Sequence, residues 1–184
     1  MSDAPATANL REDHQLILRV VASLEELVDS AGDGRFDLDV VDDCVSFFKL
    51  FVDACHHGKE EDLLFGELED AGMPRHAGPI AVMLAEHELG RALVKRMATS
   101  LGKAREGADG AYDALAAEAR DYVALIRSHI AKEDGVLFAH ADHVLGTPAC
   151  ERLCAGYDVV CARRFDGCTK AQLEELAERI VARR

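Results

Sequence analysis

Apolar residues recur at steps of three and four along four long stretches of this chain, the spacing of one buried helix face. The first stretch carries Leu10, Ile17, Val21, Leu24 and Val28. Asn9-Leu10-Arg11-Glu12 reads as a capping box that opens this helix, and Gly32 and Gly34 close it. The second begins near Asp37, presents Leu38, Val41, Val45, Phe48, Val52 and Leu63, and ends around Ala71-Gly72, before Pro74. The third starts near Pro79 and presents Ile80, Leu84, Val94, Ala98 and Leu101. After a Gly-rich, charged connection from Gly102 to Gly110, the fourth runs from about Ala111 to Ala141 with Leu115, Ala119, Tyr122, Ile126 and Val136.

The tail reads differently. Thr147-Pro148 supplies an N-cap and first-turn pair for a fifth helix reaching about Arg164. Phe165-Asp166-Gly167-Cys168 reads as a break, and Thr169-Lys170-Ala171-Gln172 as a second capping box opening a last amphipathic helix. The pattern predicts an all-α protein, an up-down four-helix bundle with an additional C-terminal helical segment. Residues 1–8 are expected to be disordered, 9–145 to form the bundle, and 146–184 to pack on it as an appendage.

Each apolar seam is interrupted by residues that bind metals: His14 on the first helix, His56 and Glu60 on the second, His87 on the third, His129 and Glu133 on the fourth. Two interruptions share one phrase. His56-His57-Gly58-Lys59-Glu60-Glu61-Asp62-Leu63-Leu64-Phe65 aligns without gaps to His129-Ile130-Ala131-Lys132-Glu133-Asp134-Gly135-Val136-Leu137-Phe138. In each copy His and Glu stand one helical turn apart on the same face, and Leu-Phe anchors the following turn. Two carboxylates buried in a bundle core are costly unless paired or bound to metal. Four imidazoles and two carboxylates exceed the needs of one ion, and carboxylates from facing helices can bridge two. Mixed nitrogen and oxygen donors favour two iron ions over manganese or zinc, with His14, His56, Glu60, His87, His129 and Glu133 as ligands and Glu60 and Glu133 as bridges.

His57 and Glu61 form a second His-x-x-x-Glu pair, one residue out of register. The repeat selects His56 and Glu60, because only they keep the spacing to Leu64-Phe65 that Glu133 keeps to Leu137-Phe138. His57 is expected instead as a helix-interface histidine hydrogen-bonded to a neighbour, with a role at the edge of the site as the alternative. Gly58, Gly90 and Gly135 fall close to the ligands, each weakening its helix by about 1 kcal/mol relative to Ala. They read either as close helix approach or a path for a small ligand, or as surface drift.

Composition narrows the function. A net charge of -13 and a pI near 5.0 argue against nucleic acid or an anionic membrane as partner. No apolar run approaches a transmembrane span, and the first residues lack the features of a signal peptide, so the expected location is cytoplasmic. The six cysteines are then expected as reduced thiols. Cys44 and Cys55 read as core or boundary residues. Cys150, Cys154 and Cys161 share a face of the fifth helix and Cys168 follows in the break; they read as packing residues, with a thiol cluster for redox sensing or a second metal as the alternative.

The helix count, the His on the first helix, the two His-x-x-x-Glu phrases and the third-helix stretch Glu86-His87-Glu88-Leu89-Gly90-Arg91 resemble the hemerythrin-like HHE cation-binding family over roughly residues 9 to 141. The resemblance implies a four-helix bundle around a bridged di-iron centre, in a family whose members bind O2, sense oxygen or iron, decompose peroxide, or deliver iron for cluster repair. In the hemerythrin-like iron-sensing domain of an F-box protein, the residue after the second-helix His is also a ligand, which would implicate His57. Two departures stand out. Hemerythrins carry His-x-x-x-His on the third helix where this chain has Arg91, and place five residues between His and Asp on the fourth, where His129 and Glu133 are spaced by four. One imidazole fewer leaves the two irons more evenly and less fully ligated. That favours sensing of, or reaction with, O2, peroxide or NO over reversible O2 carriage. The alternatives are a catalase-like peroxide-decomposing enzyme, with Glu86 or Tyr122 as nearby acid-base groups, an iron storage or delivery protein for iron-sulfur cluster repair, and a purely structural bundle. The tail is the expected surface for a protein partner or homodimer.

Overall fold

The computed structural model describes residues 5–31, 35–164 and 167–183, and among them every regular element is a helix. Helix α1 spans Ala8–Asp29. Helix α2 covers 38–70 in four joined pieces: α-helical Leu38–Phe47, π-helical Phe48–His57, π-helical Glu60–Leu64 and α-helical Phe65–Asp70. Helix α3 is Gly78–Arg105. Helix α4 covers 111–144, with a π segment, Glu133–Leu137, between Ala111–Lys132 and Phe138–Val144. Helices α5 (Thr147–Arg164) and α6 (Lys170–Ala182) form the tail. The four-helix bundle with extra C-terminal helices is the expected architecture.

Most ends follow the local chemistry. Asp37 caps α2, its side chain accepting from the amides of Asp39 and Val40. The Thr169-Gln172 capping box is made in full at α6. At α1 the expected box is not formed. The helix begins one residue before Asn9, and the Asn9 side chain instead accepts a 2.6 Å hydrogen bond from buried Lys59. Thr7 is buried and donates from both its amide and its hydroxyl to Asp142 at the far end of α4, and Ala6 beside it is buried too. Gly32, Gly34 and the Phe165-Asp166 part of the break lie outside the described residues; Gly167 has φ 87°, a conformation suited to glycine.

Helix α3 packs along α4, α1 along α4, and α2 along α3, while α6 lies over the seam between α1 and α2. Leu173, Leu176, Ala177 and Ile180 of α6 are buried in the main apolar cluster beside Val41, Phe47, Phe51 and Leu24. Helix α5 lies on the π-helical stretches of α2. Gly156 permits that approach, since a Cβ there would come within 2.7 Å of the Leu63 side chain.

The cysteine expectation is corrected here. Cys55 and Cys161 form a disulfide, with Cα atoms 4.6 Å apart. The face of α5 that carries Cys161 lies against the face of α2 that carries Cys55, which brings two residues 106 positions apart within bonding reach. Cys44, Cys150, Cys154 and Cys168 are free. Two apolar clusters divide the bundle lengthwise, one around Phe47, Phe51 and Ile126, the other around Phe65, Phe138 and Leu10. Between them the helices contribute a buried polar layer. Among the described residues no helix is long and apolar enough to cross a membrane.

Candidate metal centre

The buried polar layer holds His14 from α1, His56, His57 and Glu60 from α2, His87 from α3, and His129 and Glu133 from α4, each no more than 3% exposed. All six residues expected from the seams are brought together. His57 joins them, against the expectation of an interface histidine hydrogen-bonded to a neighbour: among the described residues neither of its ring nitrogens has a hydrogen-bond partner. Potential donor atoms form two groups, each within 4.8 Å: His14, His56, Glu60 and Glu133, and His57, Glu60, His87 and His129.

The two carboxylates link the groups. One oxygen of Glu60 lies 3.6 Å from His56 Nε2 and the other 3.4 Å from His87 Nε2. One oxygen of Glu133 lies 3.1 Å from His14 Nε2 and the other 3.2 Å from His129 Nε2. Each carboxylate thus spans from the pair His14 and His56 to the trio His57, His87 and His129. The even distribution expected from six candidate ligands becomes two imidazoles grouped against three, because His57 joins His87 and His129.

The chemistry of the donors fits cations. Both oxygens of Glu60 and Glu133, Nε2 of His87 and His129, and both nitrogens of His57 are buried without hydrogen-bond partners among the described residues, an arrangement that proteins rarely leave uncompensated. His14 Nε2 and His56 Nε2 stand 3.0 Å apart, aimed at one another. Four of the imidazoles are held from behind by carboxylates at Nδ1: His14 by Asp134 at 3.0 Å, His56 by Asp13 at 3.4 Å, His87 by Glu61 at 2.7 Å and His129 by Glu86 at 3.0 Å. Carboxylates in this position fix the tautomer and turn Nε2 toward the metal. Asp53 stands behind His57 at 3.6 Å.

These outer carboxylates are themselves paired. Arg91 reaches Asp53, Glu61 and Glu88, each at 2.7 Å. Lys59 bonds Asp13, Lys132 bonds Glu86, and Arg11 bonds Asp134 at 3.1 Å. Glu86 is thus paired with both His129 and Lys132, and the Tyr122 phenol is held far above its ordinary range by burial. Burial disfavours charge at His87, but Glu60 and Glu61 more than offset it and raise this imidazole to about 9. At Glu133 burial is likewise overcome, by His129, His14 and His56, and the carboxyl is held well below its usual range. His57 is pushed down by burial and by neighbouring imidazoles, which keeps the ring neutral, with one nitrogen carrying a free lone pair and the other an N–H.

A family model describing the hemerythrin HHE cation-binding domain matches residues 6–141. The chain belongs to this family. Its HHE domain is also similar to uncharacterized proteins of Mycobacterium bovis and of Mycobacterium tuberculosis strains CDC 1551 and H37Rv, each 25% identical over 139 residues. The alignment takes in 74% of this chain and 54% of each relative, so the chain spans about half the length of the curated relatives it matches. No solved structure gives a significant match.

His57, expected at the site only as the alternative, has a signal in the sequence. It forms its own His-x-x-x-Glu pair with Glu61. What periodicity could not show is that α2 becomes π-helical at Phe48–His57 and Glu60–Leu64, and such segments are frequent at functional sites. Adjacent rings at 56 and 57 both reach the polar layer, their centroids 5.7 Å apart, and His57 stacks on His87 at 3.8 Å.

Proposed function

We propose that this HHE domain is a non-haem di-iron protein that senses or reacts with a small ligand, O2, peroxide or NO. Two iron ions would be held by His14 and His56 on one side and by His57, His87 and His129 on the other, with Glu60 and Glu133 bridging. The observation that carries this reading is the division of each buried carboxylate's two oxygens between the two groups of imidazoles. Nitrogen and oxygen donors without sulfur suit iron better than a closed structural zinc site. Bound iron would supply Lewis acidity and redox change. The chain's own part is to orient the rings through Asp13, Glu61, Glu86 and Asp134, and to exclude water with the apolar clusters on either side.

Sensing is favoured over turnover by what the tail touches. Lys170, at the start of α6, lies 3.2 Å from Asp13, the carboxylate behind His56, and Cys161 of α5 is bonded to Cys55, the residue before His56. A change at the ligands therefore has two routes to the tail, the surface for a protein partner or a second copy. In the cytoplasmic setting this reading assigns, a disulfide is more often a redox-responsive bond than a permanent staple.

Metal analysis and absorption spectra of the purified protein, before and after peroxide or azide, test the centre. About two irons per chain with charge-transfer bands that change on ligand addition are expected. Wild-type iron content in a His56→Ala, Glu133→Ala double variant would overturn it. Ligand-dependent protection of the tail from proteolysis supports sensing, whereas rapid peroxide disproportionation supports the catalase-like alternative.

A further inference from the structure

A cavity of 310 Å³ opens between α2 and α3 and ends on His57. Its walls are mostly apolar, with Val45, Phe48 and Val52 from α2, Val94 from α3 and the Tyr122 ring from α4; Asp53 is the one carboxylate on the lining, and it is paired with Arg91 at 2.7 Å. Gly90 belongs to its wall and is buried in mid-helix, where Ala would be the better helix former. A Cβ at Gly90 would approach nothing closer than 3.8 Å, so packing does not demand glycine there. The missing side chain leaves the bore wider.

Two cations mark the rim. Lys49 and Lys95 line the same cavity, are exposed, and make no ion pair among the described residues of a chain whose net charge is -13. Arg91, the third cation on the lining, is already matched by Asp53, Glu61 and Glu88. At the inner end stands buried His57, whose ring nitrogens lack a hydrogen-bond partner among the described residues. The volume lies at the low end of small-molecule sites, room for one alkyl chain and not for a two-chain lipid.

We propose that this cavity binds a medium-chain fatty carboxylate, its alkyl chain filling the bore toward His57 and its carboxylate held by Lys49 and Lys95. The bound tail ends against a histidine of the candidate metal centre, so occupancy would also close this approach to it. The binding site itself rests on the cavity and its rim, not on which metal the centre holds.

The test is calorimetric titration of the full chain, as purified, with sodium hexanoate, octanoate and decanoate, with iron content measured on the same samples. One-to-one binding is expected, with Kd falling about fourfold per added methylene until the bore is full. Val94→Trp, which fills the bore from a half-buried position, abolishes binding while helix content and iron content stay at wild-type levels. Lys49→Gln with Lys95→Gln weakens octanoate by about tenfold or more and leaves octan-1-ol unchanged. Absence of octanoate binding at millimolar concentration by the folded wild-type chain, or unchanged affinity in Val94→Trp, overturns the proposal. Octan-1-ol binding as tightly as octanoate overturns the role of the lysines. Because heat is the readout, a chain that carries no iron yet binds octanoate refutes the di-iron reading alone.

Discussion

Glu61 serves two neighbours through one oxygen, 2.7 Å from His87 Nδ1 and 2.7 Å from an Arg91 nitrogen. Arg91 is thus more than a gap where hemerythrins carry a histidine: it anchors the carboxylate that aims His87. Glu61→Gln keeps the shape and loses the charge, and metal affinity is expected to fall about 10- to 100-fold with helix content intact. Chelator competition measures this, and wild-type affinity in the variant would remove Glu61 from the centre's support. His87 also sets a pH dependence. In the metal-free chain its pairing with Glu60 and Glu61 raises it from 6.5 to about 9. A raised histidine stabilises the fold fully below pH 6.5, and that contribution is lost as pH rises through about 9. Urea midpoints of chelated protein should therefore fall across that window, and a midpoint that rises there would contradict the pairing. At this scale the candidate ligands on the seams were legible because a charged residue on an apolar face demands a partner. His57 was legible only as an alternative, because one step along an α-helix turns a side chain by about 100°, and that argument assigns neighbouring residues to different faces.

Helix identity was the most legible level, for a physical reason: burial of one face imposes the 3.6-residue period, and Asp37 and Thr169 announce their caps chemically. The π segments escaped because a widened turn changes hydrogen-bond partners without leaving a distinct pattern of apolar residues. Asn9 misled because a good capping residue was taken up by a tertiary bond to Lys59. The disulfide escaped because spacing along the chain does not reveal which helix faces meet. That bond closes a long loop, and constraint of the unfolded chain grows with loop length. Cys161→Ser is expected to lower stability by about 2–4 kcal/mol in non-reducing buffer. The difference should largely vanish when both proteins are reduced, and equal urea midpoints without reductant would show that the bond does not form in solution. Thiol labelling gives a second check. Exposed Cys154 should alkylate first, whereas Cys44, buried and pushed up to about 12, should react only on unfolding.

At the scale of the whole molecule the fold is two apolar clusters held apart by a layer of charge. Glu60, Glu133, Asp13 and Lys59 are all buried in or beside that layer, and groups of this kind oppose folding unless they are neutralised. The metal-free chain manages this by pairing imidazoles with carboxylates, which leaves several donor atoms without partners. Bound cations would satisfy those atoms together, so the metal centre and the stability of the bundle are one problem. The tail belongs to the same problem, since α6 seals the seam beside His14 and sends Lys170 to Asp13. Removing the metal should therefore destabilise the entire bundle. At a thousandfold excess over Kd, a ligand specific to the folded state adds about 4 kcal/mol. For a chain of this size that corresponds to a loss of about 10 °C in Tm on chelation. Calorimetry with and without chelator measures the shift, and restoring iron should reverse it. A Tm that does not move would mean that imidazole–carboxylate pairing alone balances the buried charge, and that cation binding contributes nothing to the fold.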